Sequence, residues 1–138
     1  MHVLIIDNDL DTRDLAYYAL SKAGYKVSKA QGVAEALRLS RQHPDIAVVV
    51  TDMRLDHQVT GMEMAEKMRQ VLSKRHYILA SGDWDALGSH CPDDISILRK
   101  PYGKADLLGA VRYGVACLRI REASRLSRKR QESGLLLA

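Results

Sequence analysis

Short apolar runs alternate along this chain with stretches of helical periodicity. Val3-Leu4-Ile5-Ile6 is an unbroken apolar run, as expected of a strand covered on both faces. Residues 10–23 follow with Leu15, Tyr18, Ala19 and Ala23 at helical spacing, and Gly24 supplies a stop. Tyr25-Lys26-Val27-Ser28 alternates more weakly and reads as a strand nearer an edge. Val33, Ala36, Leu37 and Ser40 mark a second helix that closes before His43-Pro44. Ile46-Ala47-Val48-Val49-Val50 carries the strongest buried-strand signal of the chain. Gly61 opens a helix with Ala65, Met68 and Leu72 on one face. Tyr77-Ile78-Leu79-Ala80 and Ile95-Ser96-Ile97-Leu98 are two more strands. Between them, Ser81 to Ile95 leaves room for a short fourth helix near Asp83–Gly88. Leu107, Leu108, Val111, Val115 and Leu118 begin a last helix expected to run to about Arg130. Strand and helix therefore alternate five times. That order argues for an α/β fold with a doubly wound, five-stranded parallel sheet.

The length of 138 residues suits one domain. Apolar residues make up 46% and charged residues 28%, a globular composition. No apolar run approaches the roughly 20 residues of a membrane span, and Met1-His2 leads straight into the first strand, so a cytosolic protein fits best. Cys91 and Cys117 lack any C-x-x-C spacing, which indicates neither a zinc site nor a disulfide framework. Charge is distributed unevenly. Residues 112–138 hold seven basic residues (Arg112, Arg119, Arg121, Arg125, Arg128, Lys129 and Arg130) against Glu122 and Glu132, while the preceding body is near neutral. No aromatics interleave with these charges for base stacking, so a solvated helix face is preferred to a nucleic-acid contact.

In an open parallel α/β sheet, ligands bind beyond the carboxyl ends of the strands. Strand one ends in Asp7-Asn8-Asp9, strand three in Thr51-Asp52, strand four in Ser81-Gly82 and strand five in Arg99-Lys100-Pro101. Neighbouring carboxylates there repel one another unless a hard cation lies between them. Mg²⁺ suits such a place, since it takes one or two carboxylates and keeps its other positions for water or phosphate oxygens. A lysine in the same cleft offers positive charge to a phosphoryl group or a carboxylate. Taken singly, Asp7 and Asp9 read as helix caps and Lys100 as the partner of a stray acid. All of them falling at strand ends outweighs that reading.

Val3-Leu4-Ile5-Ile6-Asp7-Asn8-Asp9, Val48-Val49-Val50-Thr51-Asp52-Met53-Arg54-Leu55, Thr60-Gly61, Ile78-Leu79-Ala80-Ser81-Gly82 and Leu98-Arg99-Lys100-Pro101-Tyr102 together resemble the successive signatures of the response-regulator receiver domain of two-component signalling. The resemblance covers residues 2 to about 118 and implies a flavodoxin-like (βα)5 fold. It implies Asp52 as phosphoryl acceptor and Asp7 as an acidic Mg²⁺ ligand. It also implies the Arg54 backbone carbonyl as a further ligand, and Ser81 and Lys100 as the groups that bind phosphoryl oxygens. Pro101 falls where the family often has a cis bond. The expected partner is a histidine kinase or a phosphotransfer protein. Turnover of an external substrate is not implied, only self-catalysed phosphorylation and dephosphorylation of the aspartate.

The departures from the pattern are specific. The second acid after strand one is replaced by Asn8, with Asp9 following, so either Mg²⁺ binds more weakly or Asp9 substitutes. The aromatic switch position falls on Ile97. The Ser81-to-Lys100 segment is about one helical turn short, and Asp56-His57-Gln58 stands where a proline is usual. His57 reads as a solvated loop histidine and the two cysteines as ordinary thiols. Arg54 and Asp83 fall at the positions that flank the path of the hydrolytic water, where an ion pair would slow loss of phosphate. Residues 1–118 are thus assigned to a receiver domain and 119–138 to a basic helical extension. Ile120, Ala123 and Leu126 in that extension point to a symmetric homodimer. The rival readings are a docking module that is never phosphorylated and the amino-terminal fragment of a DNA-binding regulator.

Overall fold

The computed structural model describes residues 1–55, 59–82 and 92–137. Their elements are β1 (His2–Ile6), α1 (Leu10–Lys22), β2 (Lys26–Ala30), α2 (Val33–Gln42), β3 (Ile46–Asp52), α3 (Gly61–Val71), β4 (His76–Ser81), β5 (Ile95–Arg99) and α4 (Lys104–Leu137). The five strands form one parallel sheet in the order β2-β1-β3-β4-β5. The doubly wound architecture is the one the alternation predicts, with β2 on an edge. The short fourth helix expected near Asp83–Gly88 lies outside the described residues, as do Asp56, His57, Gln58 and Cys91.

Side-chain alternation along the strands divides the core in two. Val3 and Ile5 of β1, Val48 and Val50 of β3 and Ile78 and Ala80 of β4 pack beneath α1 and α4. Leu4, Ile6, Ile46, Val49, Tyr77 and Leu79 pack beneath α2 and α3. One irregularity interrupts β3. His2 pairs with Ile46 but Val3 pairs with Val48, so Ala47 is an extra residue in the ladder. Ala47 and Val48 both belong to the α1/α4 side as a result.

The helices bear out most of the periodic readings and correct two, the buried face of α1 and the end of the last helix. Helix α1 buries Ala16, Ala19 and Leu20, whereas Leu15 and Tyr18 are 71% and 59% exposed. The small alanines let α1 lie close on the sheet, and the larger side chains are left to the rim of a groove shared with Tyr102 and Leu107. Gly24 ends the α1 region with φ of +97°, a conformation that favours glycine. Helix α4 buries Leu107, Val111 and Val115, then continues past Arg130 to Leu137. No helix among the described residues is long and apolar enough to cross a membrane.

Candidate functional site

Three strand ends deliver polar groups to one edge of the sheet. Asp52 is the last residue of β3, and Met53 continues from it with its N–H donating to the Ala80 carbonyl of β4 at 2.9 Å. Lys100 follows β5, and its N–H donates to the Ser81 carbonyl at 2.9 Å. These backbone bonds hold the loops after β3, β4 and β5 against one another. Asp52, Met53, Arg54, Ser81, Gly82 and Lys100 line the resulting cleft. Lys100 Nζ lies 3.2 Å from Asp52 Oδ1, and the Arg54 N–H donates to the same oxygen at 3.2 Å. The side chain of Asp52 is 16% exposed, enough to be reached from solvent.

Asp7 stands just past β1 and is buried. Its Oδ1 accepts the Asp9 N–H at 2.9 Å, its own N–H donates to the Ala30 carbonyl, and its carbonyl accepts from Arg13 Nη1 at 2.8 Å. Burial raises the Asp7 carboxyl above the usual aspartate range; the Asp9 N–H opposes that rise, the nearby charge of Asp52 adds to it and Lys100 opposes it. The charges of Asp52 and Lys100 therefore act on Asp7 in opposite senses. Tyr102 adjoins the same charges, since burial, then Asp7 and Asp52, push its phenol upward. In the sequence Tyr102 is simply the last residue of the Leu98-Arg99-Lys100-Pro101-Tyr102 motif, and no spacing signals that it feels the charges of the two acids.

The neighbours of Asp7 are placed differently. Asn8 is exposed and its Nδ2 donates to the Leu55 carbonyl at 3.2 Å, which ties the first loop to the segment after Asp52. Asp9 is the N-cap of α1. Its carboxylate accepts the Thr12 N–H at 3.1 Å and also the Thr12 hydroxyl, and these bonds hold it below the ordinary aspartate range. Asp7, Asp9 and Asp52 do not converge into a three-carboxylate cage.

The opposite rim is set by α3. Thr60 caps that helix by accepting the Glu63 N–H at 3.2 Å, and Arg54 bridges to Thr60 across the loop. Gly61 donates its N–H to the Met53 carbonyl at 2.8 Å. A Cβ on Gly61 would stand 2.8 Å from the Asp52 carbonyl oxygen and 3.1 Å from Met53 Cα. Glycine is required there so that α3 can start directly against the acidic loop. The Lys100–Pro101 peptide is cis, as the resemblance implies. Ile97 is half-buried and packs with the core beneath α2 and α3. Asp83 lies outside the described residues.

A five-stranded 2-1-3-4-5 sheet with carboxylates and a lysine at its carboxyl edge defines a receiver-type α/β domain. Residues 3–112 match the response regulator receiver domain, and the chain belongs to that family. It is 30% identical over 114 residues to the transcriptional regulatory protein GlrR of Escherichia coli (strain K12), a match that takes in 80% of this chain and 25% of that one. The chain thus spans about a quarter of the length of the curated relatives it matches. Its fold is similar to a structure described as adenylate cyclase from Rhodopirellula baltica, with a TM-score of 0.81, 21% identity and coverage of 93% and 96% of the two chains. It is similar also to the chemotaxis protein CheY4 of Vibrio cholerae, with a TM-score of 0.69, 22% identity and coverage of 82% and 97%. The family is one of signalling domains, not of conventional enzymes.

Proposed function

We propose that this receiver domain accepts a phosphoryl group on Asp52 from a histidine kinase or a phosphotransfer protein, and signals through protein contacts. The observation that carries this reading is the 3.2 Å approach of Lys100 Nζ to Asp52 Oδ1 in a cleft open to solvent. In the transfer, an Asp52 carboxylate oxygen forms the new bond to phosphorus as the P–N bond of the donor phosphohistidine breaks. Ser81 and Lys100 line the cleft with Asp52, which supports a reading in which they would hold the transferred oxygens and Lys100 would offset the charge that builds there.

The donor set fits Mg²⁺. The carboxyl of Asp7 is buried and raised partly by the charge of Asp52, so a divalent cation between them would relieve a repulsion the protein otherwise bears. Asp7, Asp52 and the Arg54 carbonyl would hold it, and when bound it supplies positive charge to phosphoryl oxygens. Asn8 would add a neutral ligand at most, and Asp9 is committed to capping α1.

A second reading rests on Asn8. With one acid fewer beside Asp7 than the family pattern has, the domain would serve as a docking module without phosphorylation. Incubation with acetyl phosphate and Mg²⁺, read by intact mass, separates the two. We expect a gain of one phosphoryl group, lost in Asp52→Asn. No gain across a wide range of Mg²⁺ would favour the docking module.

A further inference from the structure

His2, His43 and Asp45 meet at the amino ends of the strands, on the edge opposite Asp52. One ligand-capable atom of each lies within 4.8 Å of the others, and this is the single such grouping of three or more His, Cys, Asp or Glu side chains among the described residues. Backbone contacts build it. The β1–β3 register sets His2 opposite Ile46, His43 closes α2 by donating its N–H to the Leu39 carbonyl, and the Ile46 N–H donates to the His43 carbonyl at 3.1 Å. Arg75 donates to the Pro44 carbonyl and fixes the same turn. The His2 and His43 rings meet edge to face, with centroids 5.2 Å apart.

We propose that His2, His43 and Asp45 form a site for a borderline divalent transition ion, Zn²⁺ by preference. Two imidazoles and one carboxylate suit zinc, and suit Mg²⁺ or Ca²⁺ poorly because those ions take oxygen donors. Bonds of about 2.1 Å in a tetrahedron put donor atoms roughly 3.4 Å apart. His2 Nδ1 and Asp45 Oδ2 are already 3.0 Å apart. The remaining closure falls to His43, which is half-buried, and Asp45, which is exposed, so neither needs the core to move.

His2 is prepared for the task. It is buried, and its Nε2 lies 2.7 Å from Ser28 Oγ. A serine hydroxyl both donates and accepts, so it follows whichever tautomer the other nitrogen demands. With an ion bound, Nε2–H donates to Ser28 and the Nδ1 lone pair is free to coordinate. Asp45 is exposed, so water would complete the coordination. The opposing charges are Lys26, whose Nζ is 3.7 Å from Asp45 Oδ2 on a 63% exposed side chain, and Arg75, held on Pro44. Strand β3 separates this group from Asp52 by about 20 Å at 3.3 Å per residue, so the ion would brace the scaffold without touching the acceptor.

The test is a titration with Zn²⁺ of the full chain without a histidine tag, in excess Mg²⁺ to occupy the acidic cleft. Calorimetry and imidazole ¹⁵N NMR give the readout. We expect one equivalent bound, with shifts at His2 Nδ1 and a His43 ring nitrogen while the His2 Nε2–H persists, and a raised thermal midpoint. His43→Ala should weaken binding by at least about tenfold, and Lys26→Gln should tighten it. Circular dichroism verifies that both variants are folded; neither changes a buried core residue. The proposal is overturned if zinc does not bind. It is overturned equally if His43→Ala and Asp45→Asn both bind as the unaltered chain does, or if the shifts fall on cysteines or Asp52 instead of the two imidazoles.

Discussion

His76 shows how much a single buried residue can shape the pH response of this domain. It opens β4 with no exposed surface, its Nε2 lies 2.9 Å from Ser96 Oγ, and its Nδ1 finds no partner among the described residues. Burial, reinforced by the charge of Arg121 and opposed by that of Asp94, lowers its pKa to about 4. The unfolded chain takes up this proton near pH 6.5 while the folded chain does not. Stability is therefore complete above about pH 6.5 and falls as pH drops toward 4. The full difference is worth about 3 kcal/mol. Urea denaturation from pH 7 to 4 should show this decline, and His76→Gln should flatten most of it. Asn8 invites a second substitution. Asn8→Asp exchanges an amide that donates to Leu55 for a carboxylate beside Asp7, at the cost of that hydrogen bond. Mg²⁺ binding by calorimetry should tighten by about an order of magnitude. An unchanged titration would place residue 8 outside the ion's coordination.

At the scale of elements, two glycines mark where helices come closest to the sheet. A Cβ on Gly61 meets backbone atoms of Asp52 and Met53, and one on Gly114 comes within 2.9 Å of the buried His76 ring. Neither neighbour can give way freely. Gly61→Ala and Gly114→Ala should each cost about 1–3 kcal/mol in chemical denaturation. Only the first should also slow phosphorylation, because only Gly61 abuts the Asp52 loop. Reading these elements from sequence succeeded where one physical rule dominates. Apolar runs identify β1, β3, β4 and β5, and the strand-end rule collects Asp7, Asp52, Ser81 and Lys100. It faltered where small differences decide. Tyr25 precedes β2, which instead takes in Lys29 and Ala30 through pairing with Ile5 and Ile6. On α1 the alanines, not the larger Leu15 and Tyr18, are the buried face. Arg130 carries no stop signal, and α4 runs on past it. The His2, His43 and Asp45 grouping was not legible at all. More than forty residues separate His2 from the turn that holds His43 and Asp45, and only the β1–β3 register unites them.

For the molecule as a whole, α4 is the outlying feature. Its 34 residues span about 51 Å, far more than the sheet it covers. Beyond Leu118, Ile120 is 66% exposed and Leu126 45% exposed, while Arg121 reaches back to the Arg75 carbonyl. A helix that keeps apolar residues on a solvent-facing side gains by meeting another surface. We expect a symmetric homodimer through this extension, with the basic side chains left at its margins. Light scattering on the full chain and on a version ending at Leu118 tests it. A dimer lost on truncation supports the contact, and two monomers remove it.

The extra residue in β3 has a consequence for how this sequence tolerates change. Strand residues obey a parity rule, odd to one side and even to the other, and Ala47 resets the count. On its amino-terminal side, Ile46 joins the core beneath α2 and α3; were Ala47 paired as a regular strand residue, Ile46 would fall beneath α1 and α4. Deleting Ala47 would thus restore a regular ladder, with Ile46 and Val48 still on opposite faces and still opposite His2 and Val3. Deleting Val49 instead would turn the residues on one side of the gap to the wrong face, so this strand tolerates the loss of a residue at its bulge and not beyond it.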